Sequence, residues 1–339
     1  MKNKKDFIFI VLIVMTIVMW SSAYSVIKIC LEEFAPQSLA LLRFLFASTT
    51  FLIIGLFCKF KMPDIKDIPL ILLCGAFGYT IYHVALNIGE TTVKAGTASI
   101  VLNCYPVFVA LLSAGILHEK VNLKKWMGIL ISFAGVFTIL LGENQAFGIS
   151  MGLLLILLAA FSNSLYDVLQ KGLLSKYSPV ELTAYITWSG TLFLTIFSKG
   201  LIADLQTASL GTIGAAAYLG ICSSAAGSMV WAWALSKNSV TNIASLQYML
   251  PVCAVIMAFL LLGEIPGFIA FLGGLVIISG VIIVNLPDNL PVFDKLKGAA
   301  QALTNYFKNA KRYAPAFMYI KTNRRSSRRK IAQKQLLTR

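Results

Sequence analysis

The stretch at residues 96–136, GTASIVLNCYPVFVALLSAGILHEKVNLKKWMGILISFAGV, decides the fold, because a recognisable copy of it occupies residues 241–281. At a fixed offset of 145 residues and without a gap, the two copies share a proline, a glutamate and two glycines. Such agreement is too specific for chance in apolar sequence, so the chain is an internal duplication. The matched pairs are Pro106 and Pro251, Glu119 and Glu264, Gly128 and Gly273, Gly135 and Gly280, and, upstream, Gly75 and Gly220.

The composition is that of an integral membrane protein. Of 339 residues, 58% are hydrophobic and 13% are charged, and the mean hydropathy is +0.80, which is more apolar surface than a soluble core could bury. Six cysteines lie scattered in or beside apolar runs, without a C-x-x-C spacing, and there are two histidines. This pattern favours buried cysteines and indicates neither a disulfide framework nor a metal centre, and no cofactor is expected.

Ten apolar segments are long enough to cross about 30 Å of hydrocarbon, which predicts an all-α polytopic protein. The first follows Lys2, Lys4 and Lys5, and its length and the missing cleavage pattern predict a retained span rather than a signal peptide. The predicted spans are residues 7–30, 36–58, 68–87, 95–117, 122–141, 148–170, 180–198, 213–235, 241–262 and 267–286.

Basic residues in the short loops predict the orientation. With a cytoplasmic N-terminus, twelve Lys residues lie on the inner side and three, Lys28, Lys94 and Lys199, on the outer side, so both termini are expected in the cytoplasm. Five spans per copy is an odd number, so the second copy is expected to be inverted. We therefore predict a first repeat at residues 1–141, an inverted second repeat at 142–286 and a basic tail at 287–339.

The first and sixth spans also match, since SSAYSVI around Tyr24 corresponds to NSLYDVL around Tyr166. Inverted repeats that meet near the bilayer midplane are typical of transporters, in which one conformation becomes the other when the two halves exchange shapes. The pattern therefore predicts transport.

The repeat unit resembles the EamA-type domain of the drug/metabolite transporter superfamily. The resemblance rests on Trp20 and Tyr24 in the first span, on LRF at residues 42–44, and on GTASI, YP, HEK, WMGI and AGV in the first copy, and it covers residues 7–286. It implies ten helices, a central cavity between the halves and alternating access for small organic solutes. The chain differs from the usual pattern in having Trp20-Ser21 where Trp-Gly is common. The second copy matches the motif more weakly, but Gly263 and Glu264 keep the Gly-Glu pair where the first copy has His118 and Glu119.

Polar and aromatic side chains inside the spans are the candidates for the cavity lining, because lipid would leave them without partners. Tyr79, His83 and Asn87 share one helical face, and interhelical hydrogen bonding is the alternative for this stripe. Pro106 and Pro251 are either hinges or packing kinks. The full predicted lining comprises Trp20, Tyr24, Arg43, Tyr79, Tyr82, His83, Asn87, Asn103, Tyr105, Asn163, Tyr166, Trp231, Gln247 and Tyr248.

The charged residues of the spans admit two interpretations each. Arg43 either extends outward to Glu32 or Glu33, or binds the carboxylate of a substrate. Asp167 either pairs with Lys171 at the membrane surface or couples protons to transport. Glu119 and Glu264 are expected to favour the N-terminal dipoles of the fifth and tenth helices.

The tail holds 13 of the 29 Lys and Arg residues against two acids, Asp288 and Asp294. Apolar residues recur in it at helical spacing among lysines, which favours an amphipathic helix on anionic lipid headgroups. The arginine-rich run at 324–330 could instead be a disordered arm that contacts nucleic acid or another partner, or only a positive-inside anchor, and nucleic acid is not the expected partner. The oligomeric state stays open, with a homodimer as one alternative.

These observations predict a multi-pass transporter of the inner or plasma membrane that moves a small amino acid-like or drug-like solute, with export preferred. A channel-like protein or a receptor without active transport is an alternative, as is a facilitator or exchanger of a nucleoside-type metabolite such as S-adenosylmethionine. An enzyme is not expected, because neither paired carboxylates nor a nucleophile with a histidine base appears.

Overall fold

The computed structural model of the chain describes residues 2–58, 60–117, 123–142, 150–237, 240, 247 and 249–286. Across these ranges the regular elements are helices, and no strand is present. All contacts given below lie within the compact unit Met1–Asn285. The predictions for the tail, for Glu119 and for Tyr248 lie outside the described residues.

Fourteen α-helices build the described part of the chain, and several of them join end to end into longer rods. They are α1 Lys2–Cys30, α2 Pro36–Cys58, α3 Ile68–Gly75, α4 Tyr82–Thr92, α5 Ala95–Leu102, α6 Tyr105–Ile116, α7 Leu123–Gly142, α8 Met151–Leu173, α9 Pro179–Leu194, α10 Ser198–Thr207, α11 Leu210–Tyr218, α12 Gly227–Lys237, α13 Leu250–Leu262 and α14 Phe268–Asn285.

Seven helical segments are long and apolar enough to cross a membrane, and three shorter apolar segments occupy the remaining predicted spans. The described part of the protein is therefore all-helical, and the chain is a multi-pass membrane protein, whereas ten crossings and the side of each terminus stay predictions. The long segments are Ile10–Cys30, Pro36–Cys58, Ile65–Thr92, Ala95–Ile116, Met151–Leu173, Pro179–Thr207 and Leu210–Lys237, and the shorter ones are Trp126–Ile139, Leu250–Leu262 and Phe268–Ile283.

The duplication is visible in the packing of the third span of each half. A wide π-helical turn, Ala76–Ile81, joins α3 to α4, and a second, Leu219–Ala226, joins α11 to α12 at the same offset. Gly75 lies directly against Ser189 and Gly190 of α9. Gly220 lies in the same way against α2, at the Arg43 carbonyl and Phe46. Each half therefore packs its third span on the second span of the other half.

The last helices of the two halves, α7 and α14, make a reciprocal glycine contact. A Cβ on Gly135 would lie 2.6 Å from the Gly273 carbonyl oxygen, and a Cβ on Gly280 would lie 2.5 Å from that of Gly128. At the 145-residue offset Gly135 corresponds to Gly280, and Gly273 corresponds to Gly128. The second contact is therefore the repeat-equivalent of the first. The two repeats are therefore related by an approximate twofold axis that passes between these helices.

Both matched prolines lie in the first turn of a helix. The helix that starts at Ala95 ends at Leu102, and α6 begins again at Tyr105 with Pro106 in its first turn. In the second half α13 begins at Leu250 with Pro251 in its first turn. Proline is favoured there, because the first-turn amide has no intrahelical acceptor and the ring fixes a helical φ. The prolines therefore start helices rather than kink continuous ones.

Two predictions about helix ends are wrong. The third span does not end at Asn87, because α4 continues to Thr92 and carries Glu90 inside the protein. Glu264 accepts a hydrogen bond from the backbone N–H of Ala95 at 3.0 Å. Its carboxylate therefore lies at the N-terminus of α5 in the other half, where the helix dipole favours a negative charge, and not at the tenth helix as predicted.

Candidate functional site

A cavity lies between the two halves and is lined by residues from both. Its volume is about 70 Å³, which is room for roughly five water molecules or a solute of similar size. Each half contributes its first and third spans to the wall. The lining comprises Trp20, Ala23, Tyr24, Ile27, Arg43, Gly78, Tyr79, Tyr82, His83, Leu86, Leu102, Asn163, Tyr166, Asp167, Ser223, Ser224, Ser228, Trp231, Gln247 and Leu250.

Arg43 supplies the positive charge of the cavity. It is 4% exposed, and its Nε donates to Ser224 Oγ at 2.5 Å while its Nη2 donates to Ser223 Oγ at 3.0 Å. The predicted outward reach toward Glu32 or Glu33 is therefore wrong. Glu33 instead accepts from the backbone N–H of Ser209 at 2.6 Å, and this bond lowers the pKa of the exposed Glu33 carboxyl.

The Asp167 carboxylate supplies the negative charge. It accepts hydrogen bonds from the Tyr105 hydroxyl, from Trp231 Nε1 at 2.9 Å and from Gln170 Nε2 at 2.6 Å. The residue is 1% exposed, so the predicted pairing at the membrane surface is wrong in its location. Three donors around one carboxylate compensate for part of the cost of burying a charge.

Aromatic rings form much of the wall of the same cavity. The Trp20 and Trp231 rings lie 5.1 Å apart between centroids, and the Tyr79 and Tyr166 hydroxyls lie 3.4 Å apart. The His83 ring packs edge-on against Tyr82 at 4.4 Å. Aromatic faces of this kind accept cationic groups as well as apolar ones.

The structure brings together ten of the side chains that the sequence predicted for the cavity. These are Trp20, Tyr24, Arg43, Tyr79, Tyr82, His83, Asn163, Tyr166, Trp231 and Gln247, and Asp167, which was not predicted to line it, joins them. Three predicted residues lie outside the lining. Asn87 donates to the Pro36 carbonyl at 2.9 Å, Asn103 donates to the Gln247 carbonyl at 3.1 Å, and Tyr105 donates to Asp167 from behind the wall.

The predicted lining did not include the serines of the second π-helical turn, Ser223 and Ser224, or Ser228 beyond it, because the face that matches the Tyr79 stripe was interpreted as breaking the symmetry. Their positions match Gly78, Tyr79 and His83 of the first half at the 145-residue offset. That correspondence was the available signal, because a polar face predicted in one repeat has a counterpart in the other. The partner of these serines, Arg43, could not be deduced, since about 180 residues separate them in the chain.

The chain matches the EamA-like transporter family twice, at residues 7–141 and 150–286. It is 36% identical over 271 residues to an uncharacterized transporter, YdfC, of Bacillus subtilis, an alignment that covers 80% of this chain and 89% of the relative. It is 33% identical to a probable terminal-alkyne amino-acid exporter of Streptantibioticus cattleyicolor, covering 80% and 92% of the two chains.

A probable amino-acid metabolite efflux pump of Escherichia coli is 29% identical to this chain, with 80% and 93% of the two chains covered. One solved crystal structure superposes with a TM-score of 0.58 at 18% sequence identity, covering 81% of this chain and 95% of the other. At that identity the superposition shows a shared fold and carries no argument about the solute.

Proposed function

The chain belongs to the EamA-like transporter family, and from this premise we propose that it moves a small zwitterionic metabolite of the amino acid class by alternating access. Family membership points to a membrane transporter of small molecules rather than to an enzyme. The zwitterionic solute, the mechanism and the preference for export are the proposal, and the names of the two amino-acid exporters among the relatives support it.

The observation that carries this proposal is the pair of opposite charges in one cavity. Arg43 presents a guanidinium, which binds carboxylates in a bidentate geometry, and Asp167 presents a carboxylate, which binds an ammonium group. Both residues line the same cavity, together with tyrosine and tryptophan rings. An amino acid offers the complementary pair of charges on a small body.

Alternating access is supported by the reciprocal packing of the repeats. A structure in which each half contacts the other through equivalent residues has a second arrangement of similar energy, reached when the halves exchange shapes. Pro106 and Pro251 lie at matched positions in the two halves, each in the first turn of a helix. We propose them as the hinges of that exchange.

Thermal unfolding of the purified protein with a panel of amino acids, nucleosides, methylated metabolites and cationic drugs tests the solute class. A solute at 100 times its dissociation constant stabilises the protein by about 2.7 kcal/mol. We expect a selective shift from amino acids, and its loss in Arg43→Gln and in Asp167→Asn. Exposed Lys199 and Glu32 provide the matched controls, since Lys199→Gln and Glu32→Gln remove the same charges outside the cavity and should retain the shift.

A shift from nucleosides or methylated metabolites alone would replace the amino acid class with the nucleoside-type alternative. An equal shift in wild type and in both cavity variants would contradict the assignment of Arg43 and Asp167. Channel-like and receptor alternatives are decided by transport, because a carrier saturates and responds to solute on the opposite side of the membrane, whereas a pore or a receptor does not.

A further inference from the structure

Glu90 is a buried carboxylate that the proposed solute site does not use. It lies in α4, one helical turn beyond the cavity residue Leu86, and its exposed fraction is 0%. Among the described residues none donates a hydrogen bond to either of its carboxylate oxygens. The same helix carries Tyr82 and His83 into the cavity, so Glu90 is coupled mechanically to its wall.

An ionised carboxylate without a donor is among the most costly groups that a protein interior can hold. Inside a membrane protein such a group is retained only where it pairs with a cation or carries a proton. The described residues place no such cation in contact with Glu90, and they form no cluster of three or more metal-ligating side chains around it. Binding a proton would remove the charge that this arrangement leaves without a donor.

The charges that act on Glu90 come from three directions. Lys28 of α1 and Arg43 of α2 attract its charged form, whereas Glu264, which precedes α14, repels it. Tyr24 of α1 and Tyr82 of α4 are the titratable side chains on the cavity side that interact with it. Neither α5 nor the half of α8 that packs here adds a charged residue within its helix.

Lys28 and Arg43 therefore lie near Glu90 without forming an ion pair with it. A small helix movement would change which of the two cations pairs with Glu90. Lys28 is 3.8 Å from Glu264, and Arg43 is held by Ser223 and Ser224 of the other repeat. Both cations are thus engaged by residues of the second half. When the halves move relative to each other, these contacts change, and the balance between a protonated and an ionised Glu90 changes with them.

Asp167 and Glu90 differ in the number of hydrogen-bond donors around their carboxylates, and this number determines whether the ionised form is stabilised. Three donors surround the Asp167 carboxylate, which stabilises its ionised form in any state that retains them. Glu90 has none. The geometry therefore favours Asp167 for holding a cationic group of the solute and Glu90 for carrying the proton.

We propose that Glu90 is the proton-binding site of the transport cycle. Its carboxylic acid holds one proton in the arrangement described here. In the alternative arrangement the O–H bond breaks, the proton passes to water on one side of the membrane, and the carboxylate that remains is stabilised by Lys28 or Arg43. The coupling to solute movement rests on the proposed function, but the protonated state of Glu90 does not.

Infrared spectroscopy of the purified protein in lipid vesicles tests the site without any solute. The spectrum of wild type minus that of Glu90→Gln at neutral pH should contain a carboxylic-acid C=O band, which wild type minus Asp167→Asn should lack. Glutamine mimics the neutral acid, so Glu90→Gln should unfold at the wild-type temperature or above it. Absence of the band, or clear destabilisation by glutamine, would show that Glu90 is ionised and would overturn the proposal.

Proton movement tests the coupling. Vesicles that contain the protein and a pH-sensitive dye, given a gradient of a mixture of the common amino acids, should report proton flux with wild type and with Glu32→Gln but not with Glu90→Gln. Exchange of labelled amino acids across the membrane, which needs no net proton movement, should persist in Glu90→Gln. Wild-type proton flux in Glu90→Gln would overturn the proposal. If wild type moves no amino acid, the proposed function fails, and the infrared result still decides the site.

Discussion

Arg43 is held by two serine hydroxyls that only a planar, forked donor can reach together. Lysine would keep the charge but lose this geometry, because its ammonium is a point charge on a flexible stem. We expect Arg43→Lys to lose at least one charge-assisted hydrogen bond, about 1.5–3 kcal/mol, and so to bind the solute roughly 10- to 100-fold more weakly. Titration calorimetry with the amino acid that gives the largest thermal shift measures this, and equal affinity for the two proteins would contradict it.

Tyr105 tests whether Asp167 and its donors act as one network. Tyr105→Phe removes one of the three donors and should lower the free energy of unfolding by about 1–3 kcal/mol. Because the lost hydroxyl serves the Asp167 carboxylate, Tyr105→Phe combined with Asp167→Asn should cost less than the sum of the two single changes. Reversible unfolding in detergent gives these values, and strict additivity would show that the two residues are independent.

At the residue scale, the sequence predicted well which side chains line the cavity. It predicted less well which partners those side chains have. A polar or aromatic side chain within an apolar span has little choice but to point inward, and this rule placed Tyr24, Tyr166 and Trp231 correctly. The partners of Arg43 and Asp167 come from spans that are distant in the chain, so no local spacing reveals them. Glu90 was not predicted to lie inside the protein, because the predicted third span ends at Asn87.

At the scale of helices, α7 and α14 pack closely against each other, because glycines at their contact let the two backbones approach. Gly135→Ala places a methyl group against the Gly273 carbonyl, and Gly280→Ala does the same at Gly128. Such overpacking costs about 1–3 kcal/mol, so each variant should unfold at a lower temperature than wild type.

Gly214 is the matched control for these substitutions. It lies on an exposed face of α11, and a Cβ there would meet nothing within 4 Å. Gly214→Ala should therefore be neutral, or stabilising by up to about 1 kcal/mol, since alanine favours a helix over glycine. The account of the glycine contact would be wrong if all three alanine variants unfolded at the same temperature.

The matched prolines give a second prediction at the scale of helices. With alanine in place of Pro106 and Pro251, the backbone amide returns at both positions, and the break between α5 and α6 can close. We expect the double variant to bind its solute with wild-type affinity and to transport it several-fold more slowly, because hinges set the rate of the conformational step. Unchanged turnover in vesicles would mean that the prolines serve packing alone.

Helix ends were the least predictable feature of the elements, because hydropathy marks where lipid ends and not where a helix ends. The rod that starts at Pro179 extends through α10 to Thr207 although Lys199 and Asp204 lie within it. Similarly, the pattern correctly predicted that Glu264 lies beside the N-terminus of a helix. It could not predict that the helix belongs to the opposite repeat, since that contact depends on how the halves pack.

For the whole molecule, the 145-residue offset predicted two related halves, and the resemblance to the EamA-type domain implied a cavity between them. Reciprocal contacts at Gly75 and Gly220, and again at α7 and α14, follow from that symmetry. The number of membrane crossings does not follow from the symmetry. In the described part of its predicted span α13 is 13 residues long, which is shorter than the roughly 20 residues that a crossing needs.

The orientation predicted from loop charges can be tested with single cysteines in a background where the six native cysteines are serine. Lys66 and Lys199 are both exposed and are predicted on opposite sides. In intact cells, a membrane-impermeant thiol reagent should label Lys199→Cys, and Lys66→Cys should react only after permeabilisation. The reverse pattern would place the termini outside, and labelling of both in intact cells would contradict the predicted topology.

The central claim is that opposite charges in one cavity bind and carry a zwitterion, and counterflow in vesicles tests it most directly. Vesicles loaded with an unlabelled amino acid that shifts the unfolding temperature should take up the labelled form faster than empty vesicles, with a rate that saturates. The account predicts that Arg43→Gln and Asp167→Asn each abolish this stimulation, whereas Lys199→Gln and Glu32→Gln retain it. Uptake that neither saturates nor responds to internal amino acid, or that survives both cavity substitutions, would contradict it.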